Sequence, residues 1–256
     1  MSTNASTNWT CYSVAGHSCE LFTPSTIVEP GRMILYLHDL QEHSPKDYPA
    51  LQKALEFAGI PVLAPRIGRS WGLQQTLTRF DAAMSAENYI LGPILKECHR
   101  IIGECRGGVG LLGYDMGGQA ALRLAYRHPG KFPIAAAIAP AIDFHLGMRH
   151  GHNWIDGELY DTLWEIFDEP EQARQETAVL HIHPLNWPRH QWFVSSRNDE
   201  RWHDGAVRLS SKLIALGIPH TAIIDENNNE DILSTFVDDA IEFIMKSLDS
   251  EARRVN

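Results

Sequence analysis

Short apolar runs alternate with amphipathic stretches along most of this chain. Arg32 to Leu37 (RMILYL), Ile60 to Ala64 (IPVLA), Val109 to Leu112, Ile134 to Ala139 (IAAAIA), Gln191 to Ser195 and His220 to Asp225 are strand-length and apolar on successive positions. That pattern suits strands buried on both faces of a parallel sheet. Between them, Tyr48 to Gly59 carries Leu51, Ala54, Leu55 and Phe57 at helical spacing, with Gly59 as a stop signal. Ala86 to Glu104 repeats the pattern, kinked or shortened by Pro93, and Gly205 to Leu216 and Asp231 to Leu248 follow as helices. Strands alternating with helices at this spacing predict right-handed crossovers and a parallel sheet, whose ligands gather at the carboxyl ends of the strands. Cys19 to Phe22 is a further short strand, and residues 1–18 read as a polar N-terminal tail. Residues 141–189, rich in His, Trp, Asp and Glu, break the rhythm. They are expected to form an insertion over the sheet edge, with helical patches near Leu159 to Phe167 and Glu169 to Glu176. Residues 19–256 are otherwise expected to form one domain.

The sharpest local signal is VGLLGYDMGGQAALRLAYRHP, residues 109–129. An apolar strand runs into Gly113-Tyr114-Asp115-Met116-Gly117, and a helix with Ala120, Leu122, Leu124 and Ala125 on its periodic positions starts at once. Strand, sharp turn and helix in this order hold the middle residue at a helix N-terminus, with flanking glycines where a β-carbon would collide. The usual pattern is Gly-x-Ser-x-Gly. Here Asp115 stands at its centre.

Composition narrows the partners. Lys and Arg total 22 against 32 acidic residues in 256, a formal charge of -10, and no basic track offers itself to phosphates. Nucleic acid is therefore not an expected partner. Four cysteines, Cys11, Cys19, Cys98 and Cys105, form neither a C-x-x-C pair nor a zinc spacing. Together with an N-terminus lacking an apolar signal core, they point to free thiols in a cytoplasmic setting, with no membrane span. Asn4 and Asn8 match the glycosylation pattern by chance in a polar segment.

The elbow GYDMGGQAALRLAYRHP is similar to the G-x-S-x-G-G-x-x-A-L block of the α/β-hydrolase superfamily, and LYLHDL (residues 35–40) sits where that family's strand enters its oxyanion-hole loop. Within the superfamily the chain resembles serine esterases of the esterase D and S-formylglutathione hydrolase type. The resemblance implies a three-layer α/β-hydrolase fold with a mostly parallel, roughly eight-stranded sheet; separately, no cofactor and no metal are expected. It implies an oxyanion hole made by the backbone N–H groups of Met116 and Leu40, a catalytic acid at Asp199 in SSRNDERW, and a small ester-like ligand. His38, Asp39, Trp71 and Tyr114 are the candidate substrate contacts, and a homo-oligomer is compatible with the family. The base does not follow. No histidine occurs after His220, and Asn227, Asn228 and Asn229 fill the loop beyond the last strand, with Asn228 at the vacated base position.

Two readings of Asp115 remain open. A carboxylate is ionised at neutral pH and attacks alkyl carbon unaided, as in haloalkane dehalogenases and epoxide hydrolases, but hydrolysis of the resulting ester needs a base. His203 in ERWHDG is the candidate substitute. Alternatively Asp115 is a helix-start residue whose carboxylate takes the free N–H groups, worth roughly 0.5 to 2 kcal/mol, and so fills the hole that the reaction requires empty. His181-x-His183 with His190 nearby raises a metal site if that segment is extended, but no carboxylate or thiolate at ligand spacing completes it. His145, His150 and His152 read as a solvated loop. Trp71, Trp154 and Trp187 are candidates either to line a pocket above the elbow or to pack into the core.

Overall fold

The computed structural model describes residues 8–103, 108–148, 161–226 and 231–255. Its strands are β1 (Trp9–Val14), β2 (His17–Phe22), β3 (Met33–Leu37), β4 (Val62–Pro65), β5 (Val109–Tyr114), β6 (Ile134–Ile138), β7 (His190–Ser196) and β8 (Thr221–Glu226). They form one eight-stranded sheet in the order β1-β2-β4-β3-β5-β6-β7-β8. From β4 to β8 all neighbours are parallel, while β1 and β2 add an antiparallel hairpin at one edge.

That hairpin corrects the expectation of a polar tail over residues 1–18, of which 1–7 lie outside the described residues. Positive φ at Ala15 (48°) and Gly16 (90°) closes a two-residue turn of the kind that suits hairpin twist. Trp9 then packs on Phe22 at 5.1 Å between ring centroids. The strand escapes a hydrophobicity-based reading because it is an edge strand whose residues are at most half-buried.

Strand alternation sorts the core into two layers. Met33, Leu35 and Leu37 face the same side as Leu111, Ala135, Ala137 and Phe193, whereas Ile34 and Tyr36 face the opposite side with Leu112, Ala136 and Val194. The first side is covered by α2 (Ala86–Tyr89), α3 (Leu95–Ile102), α4 (Met116–Arg127) and α7 (His203–Ala215). The second side is covered by α1 (Pro49–Ala58) and α8 (Ile232–Val255), which bury Leu51 and Leu55 with Val237, Ile241 and Ile244. Gly59 ends α1 in the left-handed region at φ 61°, as its position predicts. Pro93 does not shorten the helical run, which continues from Ala86 to Ile102. A single π turn, Ile90–Ile94, absorbs the missing N–H between α2 and α3.

Between β6 and β7 lie a 3-10 turn (Phe144–Met148), α5 (Asp161–Ile166), α6 (Pro170–Gln175) and a second 3-10 turn (Ala178–His181). The two short helices match the expected patches. His181 closes a helical turn instead of lying on an extended segment, so the spacing argument for His181 and His183 on one face fails. A third apolar cluster joins this region to the carboxyl end of the sheet: Trp71, Phe144, Met148, Leu163, Phe167 and Trp202 pack with Leu40 and Met116. Among the described residues no helix is long and apolar enough to cross a membrane.

Candidate active site

β5 ends at Tyr114 and α4 starts at Met116, so Asp115 alone makes the turn, at φ 53° and ψ -116°. A non-glycine residue there carries strain of about 1–3 kcal/mol, held by its surroundings. Its N–H donates to Ile138 O at 3.0 Å, and its carbonyl accepts from Ala141 N at 3.0 Å and Gln119 N at 3.1 Å. The flanking glycines are steric necessities. A β-carbon on Gly113 would lie 2.1 Å from Gly117 O, and one on Gly117 would lie 2.0 Å from Leu37 O.

The carboxylate of Asp115 points toward the loop after β3 and the turn after β7. Leu40 N–H donates to Oδ2 at 3.1 Å, whereas the carboxylate makes no side-chain cap bond to α4, the Met116 N–H favouring its charged form without one. Of the two backbone donors expected at an oxyanion hole, Leu40 is the one that hydrogen-bonds this carboxylate. Oδ1 accepts the indole N–H of Trp202 at 2.8 Å. Asp115 is only 7 % exposed. Burial pushes its carboxyl above the ordinary range, opposed by the Leu40 N–H, the Arg201 charge and the Met116 N–H.

Trp202 reaches this position because of Asp199. After β7, the Asp199 carboxylate accepts from Arg201 N at 3.1 Å and Trp202 N at 3.4 Å, and its carbonyl accepts from His203 N at 3.1 Å. Burial raises the Asp199 carboxyl, and Arg201 opposes it most strongly. The residue at the expected acid position thus shapes the turn that presents an indole to the elbow. Among the described residues, no histidine hydrogen-bonds to Asp115. His203, the candidate base, opens α7 with Nδ1 buried and unpartnered among the described residues, on the Asp199 side. Trp202 is the participant that sequence reasoning overlooked. Its signal was an indole donor one residue before the histidine singled out in ERWHDG. Asn228 lies outside the described residues.

The four expected substrate contacts are placed differently from one another. His38 is buried. Ile67 N–H donates to its Nε2 at 3.1 Å, which leaves Nδ1–H to donate to Asp39 O at 2.8 Å, and burial lowers its pKa. Both nitrogens therefore hold the loop and neither is left for a ligand. Asp39, also buried, accepts from His43 N at 2.9 Å, from His43 Nδ1 at 2.7 Å and from the Tyr48 hydroxyl. It shapes the loop that aims the Leu40 N–H. Trp71 is fully buried at φ 58° and stacks on Phe144 at 4.7 Å. Tyr114 alone stays partly exposed, edge-on to Tyr48 at 5.8 Å between centroids. Of the other tryptophans, Trp187 packs against the core and Trp154 lies outside the described residues.

The histidines serve separate ends. His181 Nε2 is 3.4 Å from Glu176, His190 Nε2 is 3.0 Å from Glu251, and His183 Nδ1 accepts from Leu185 N at 3.2 Å. His145 is buried, not part of a solvated loop, while His150 and His152 lie outside the described residues. No group of three or more His, Cys, Asp or Glu among the described residues converges as metal ligands do. Behind the elbow, fully buried Arg123 of α4 donates to Glu87 at 2.6 Å and to Glu176, and through Nη1 to Gly72 O at 3.3 Å. This network ties α4 to α2 and to the segment after α6.

Sheet order, strand directions and the strained turn after the fifth strand define the α/β-hydrolase fold. Solved structures share it across nearly the whole chain. The fluorophosphonate-binding serine hydrolase F (FphF) of Staphylococcus aureus superposes with a TM-score of 0.70 at 13% identity, covering 94% of this chain and 97% of that one. An S-formylglutathione hydrolase from Agrobacterium tumefaciens gives 0.70 at 14%, covering 100% and 99%. The S-formylglutathione hydrolase FrmB of S. aureus gives 0.66 at 16%, covering 94% and 97%. The chain is thus esterase-like in fold. No protein-family model and no curated protein sequence matches it.

Proposed function

We propose that this chain is an α/β-hydrolase-fold protein that has lost ester hydrolysis and works by binding a ligand or partner. The observation that carries this reading is the Asp115 carboxylate seated on the Leu40 N–H at 3.1 Å. Acyl transfer needs that donor free for the oxyanion of a tetrahedral intermediate. Here a resident anion holds it, Trp202 covers the other carboxylate oxygen, and the Trp71–Phe144 cluster packs over the turn. Attack by a carboxylate on an ester carbonyl would also yield an energetic mixed anhydride. The asparagines beyond β8 supply no group that takes a proton at neutral pH.

The experiment is hydrolysis of a short p-nitrophenyl ester by Asp115→Ser and by Asp115→Ser combined with Asn228→His. The single variant empties the hole but lacks a base, so it stays near background. The double variant should gain activity by at least two orders of magnitude, the usual contribution of a positioned base. Equal rates in the two would sink the reading.

A second reading has one observation in its favour. With Oδ2 held by the hole, Oδ1 is the atom from which a nucleophilic carboxylate would attack alkyl carbon, and His203 keeps an unpartnered Nδ1. Oδ1 would displace halide, or open an epoxide, to leave an alkyl ester on Asp115. Incubation with a short alkyl bromide followed by peptide mass mapping tests this directly. An adduct on Asp115, or turnover lost in His203→Gln, would replace the binding reading with the catalytic one.

A further inference from the structure

Among the described residues, the most exposed large apolar side chain lies away from the elbow. Phe57, near the end of α1, is 92 % exposed. It stands beside a groove of about 860 Å³ between α1 and α8, floored by Ala54, Ile241 and Met245. A lone exposed apolar residue needs no explanation, but an aromatic ring at the edge of an apolar concavity is the usual form of a docking site. The rim has a definite sign. Glu56, Asp238, Asp239 and Glu242 border the groove against a single cation, Lys53. Glu56 is engaged by Ser25 N at 2.9 Å, and Glu242 by Lys246 at 2.6 Å, while Asp238 and Asp239 are exposed on adjacent positions of α8.

We infer that this groove docks a basic amphipathic helix of a partner protein, its apolar side chains against Phe57 and Met245 and its Lys or Arg residues over Asp238 and Asp239. Charge complementarity selects this occupant. An acidic rim on a chain of formal charge -10 repels anionic membrane surfaces and acidic segments, and disfavours a second copy of the same face. A helix suits a groove between two helices because residues at i, i+3, i+4 and i+7 present one continuous apolar stripe. None of these residues touches the Asp115 site, so the inference stands whether or not that site is catalytic.

The test is fluorescence anisotropy of a labelled 18-residue helical peptide with leucines on one face and lysines on the other, titrated with the full chain. A peptide with glutamate in place of lysine is the control. The Leu/Lys peptide should bind, and added salt should weaken it. Phe57→Ala, an exposed substitution that leaves every charge in place, should weaken binding roughly tenfold or more. The pair Asp238→Asn and Asp239→Asn should weaken it several-fold and flatten the salt dependence. The Leu/Glu peptide should not bind. Equal affinity of wild type and Phe57→Ala would overturn the proposal, since attraction would then be to net charge alone. So would concentration-dependent dimerisation abolished by Phe57→Ala, because the occupant would then be a second copy.

Discussion

Replacing Trp202 with phenylalanine removes one hydrogen-bond donor from the Asp115 carboxylate while keeping an aromatic ring in the cluster. The donor reaches Oδ1 at 2.8 Å in a site where Asp115 is 7 % exposed, so water does not readily substitute for it. A hydrogen bond to a buried charged group contributes roughly 1.5–3 kcal/mol, and the lost ring volume adds about 1 kcal/mol. The variant should therefore lose on the order of 3 kcal/mol, of which about 2 belongs to the pair. A double-mutant cycle with Asp115→Ala separates the two parts, because the packing loss is common to both backgrounds. Urea unfolding followed by far-UV circular dichroism at pH 7 is the assay, and a coupling of about 2 kcal/mol is expected. Acid adds a second reading. Burial raises the Asp115 carboxyl, so its contribution to stability is fullest below the unfolded-state value and is lost as pH rises through the folded value. Asp115→Ala should flatten stability across that interval. A coupling under about 0.5 kcal/mol would refute the idea that the indole holds the carboxylate.

Three further outcomes follow from the geometry. Gly117→Ala places a β-carbon 2.0 Å from Leu37 O, and thermal unfolding should show a loss of about 3 kcal/mol or more, or no folded protein. Arg123→Met leaves Glu87 buried without its main cation and should cost about 3–5 kcal/mol by chemical denaturation. Burial alone would raise Glu87, but Arg123 and His128 hold it below the usual range. Its contribution is thus present at neutral pH and lost as pH falls through the folded value, and Arg123→Met should shift acid unfolding upward in pH. Finally, burial pushes the Cys19 and Cys98 thiols up to about 12, whereas Cys11 is exposed. In a Cys105→Ser background a thiol reagent should meet one fast-reacting group at neutral pH, and Cys11→Ser should remove it.

Local patterning made most of the sheet legible. Buried strands such as Ile134–Ile138 are apolar on every position, and the elbow announces itself because its glycines have no steric alternative. What stayed hidden has particular causes. The Trp9–Val14 strand is half-exposed and reads as polar, and Pro93 was accommodated by one π turn, which no periodicity encodes. The site was half legible. Asp115 and Leu40 come together because one local motif and one loop carry them. The Trp202 contact spans 87 residues and depends on how Asp199 folds its turn. The Ile67 N–H bonded to His38 and the stacking of Trp71 on Phe144 involve residues distant in sequence, which residue type alone does not reveal.

The proposal that Asp115 occupies an oxyanion hole is tested most directly by steady-state hydrolysis of p-nitrophenyl acetate, comparing the wild-type protein with Asp115→Asn at neutral pH. If the carboxylate only fills the hole, both proteins show the same residual rate. Turnover by the wild type that disappears in Asp115→Asn would make Asp115 a working nucleophile and contradict the binding role proposed for this site.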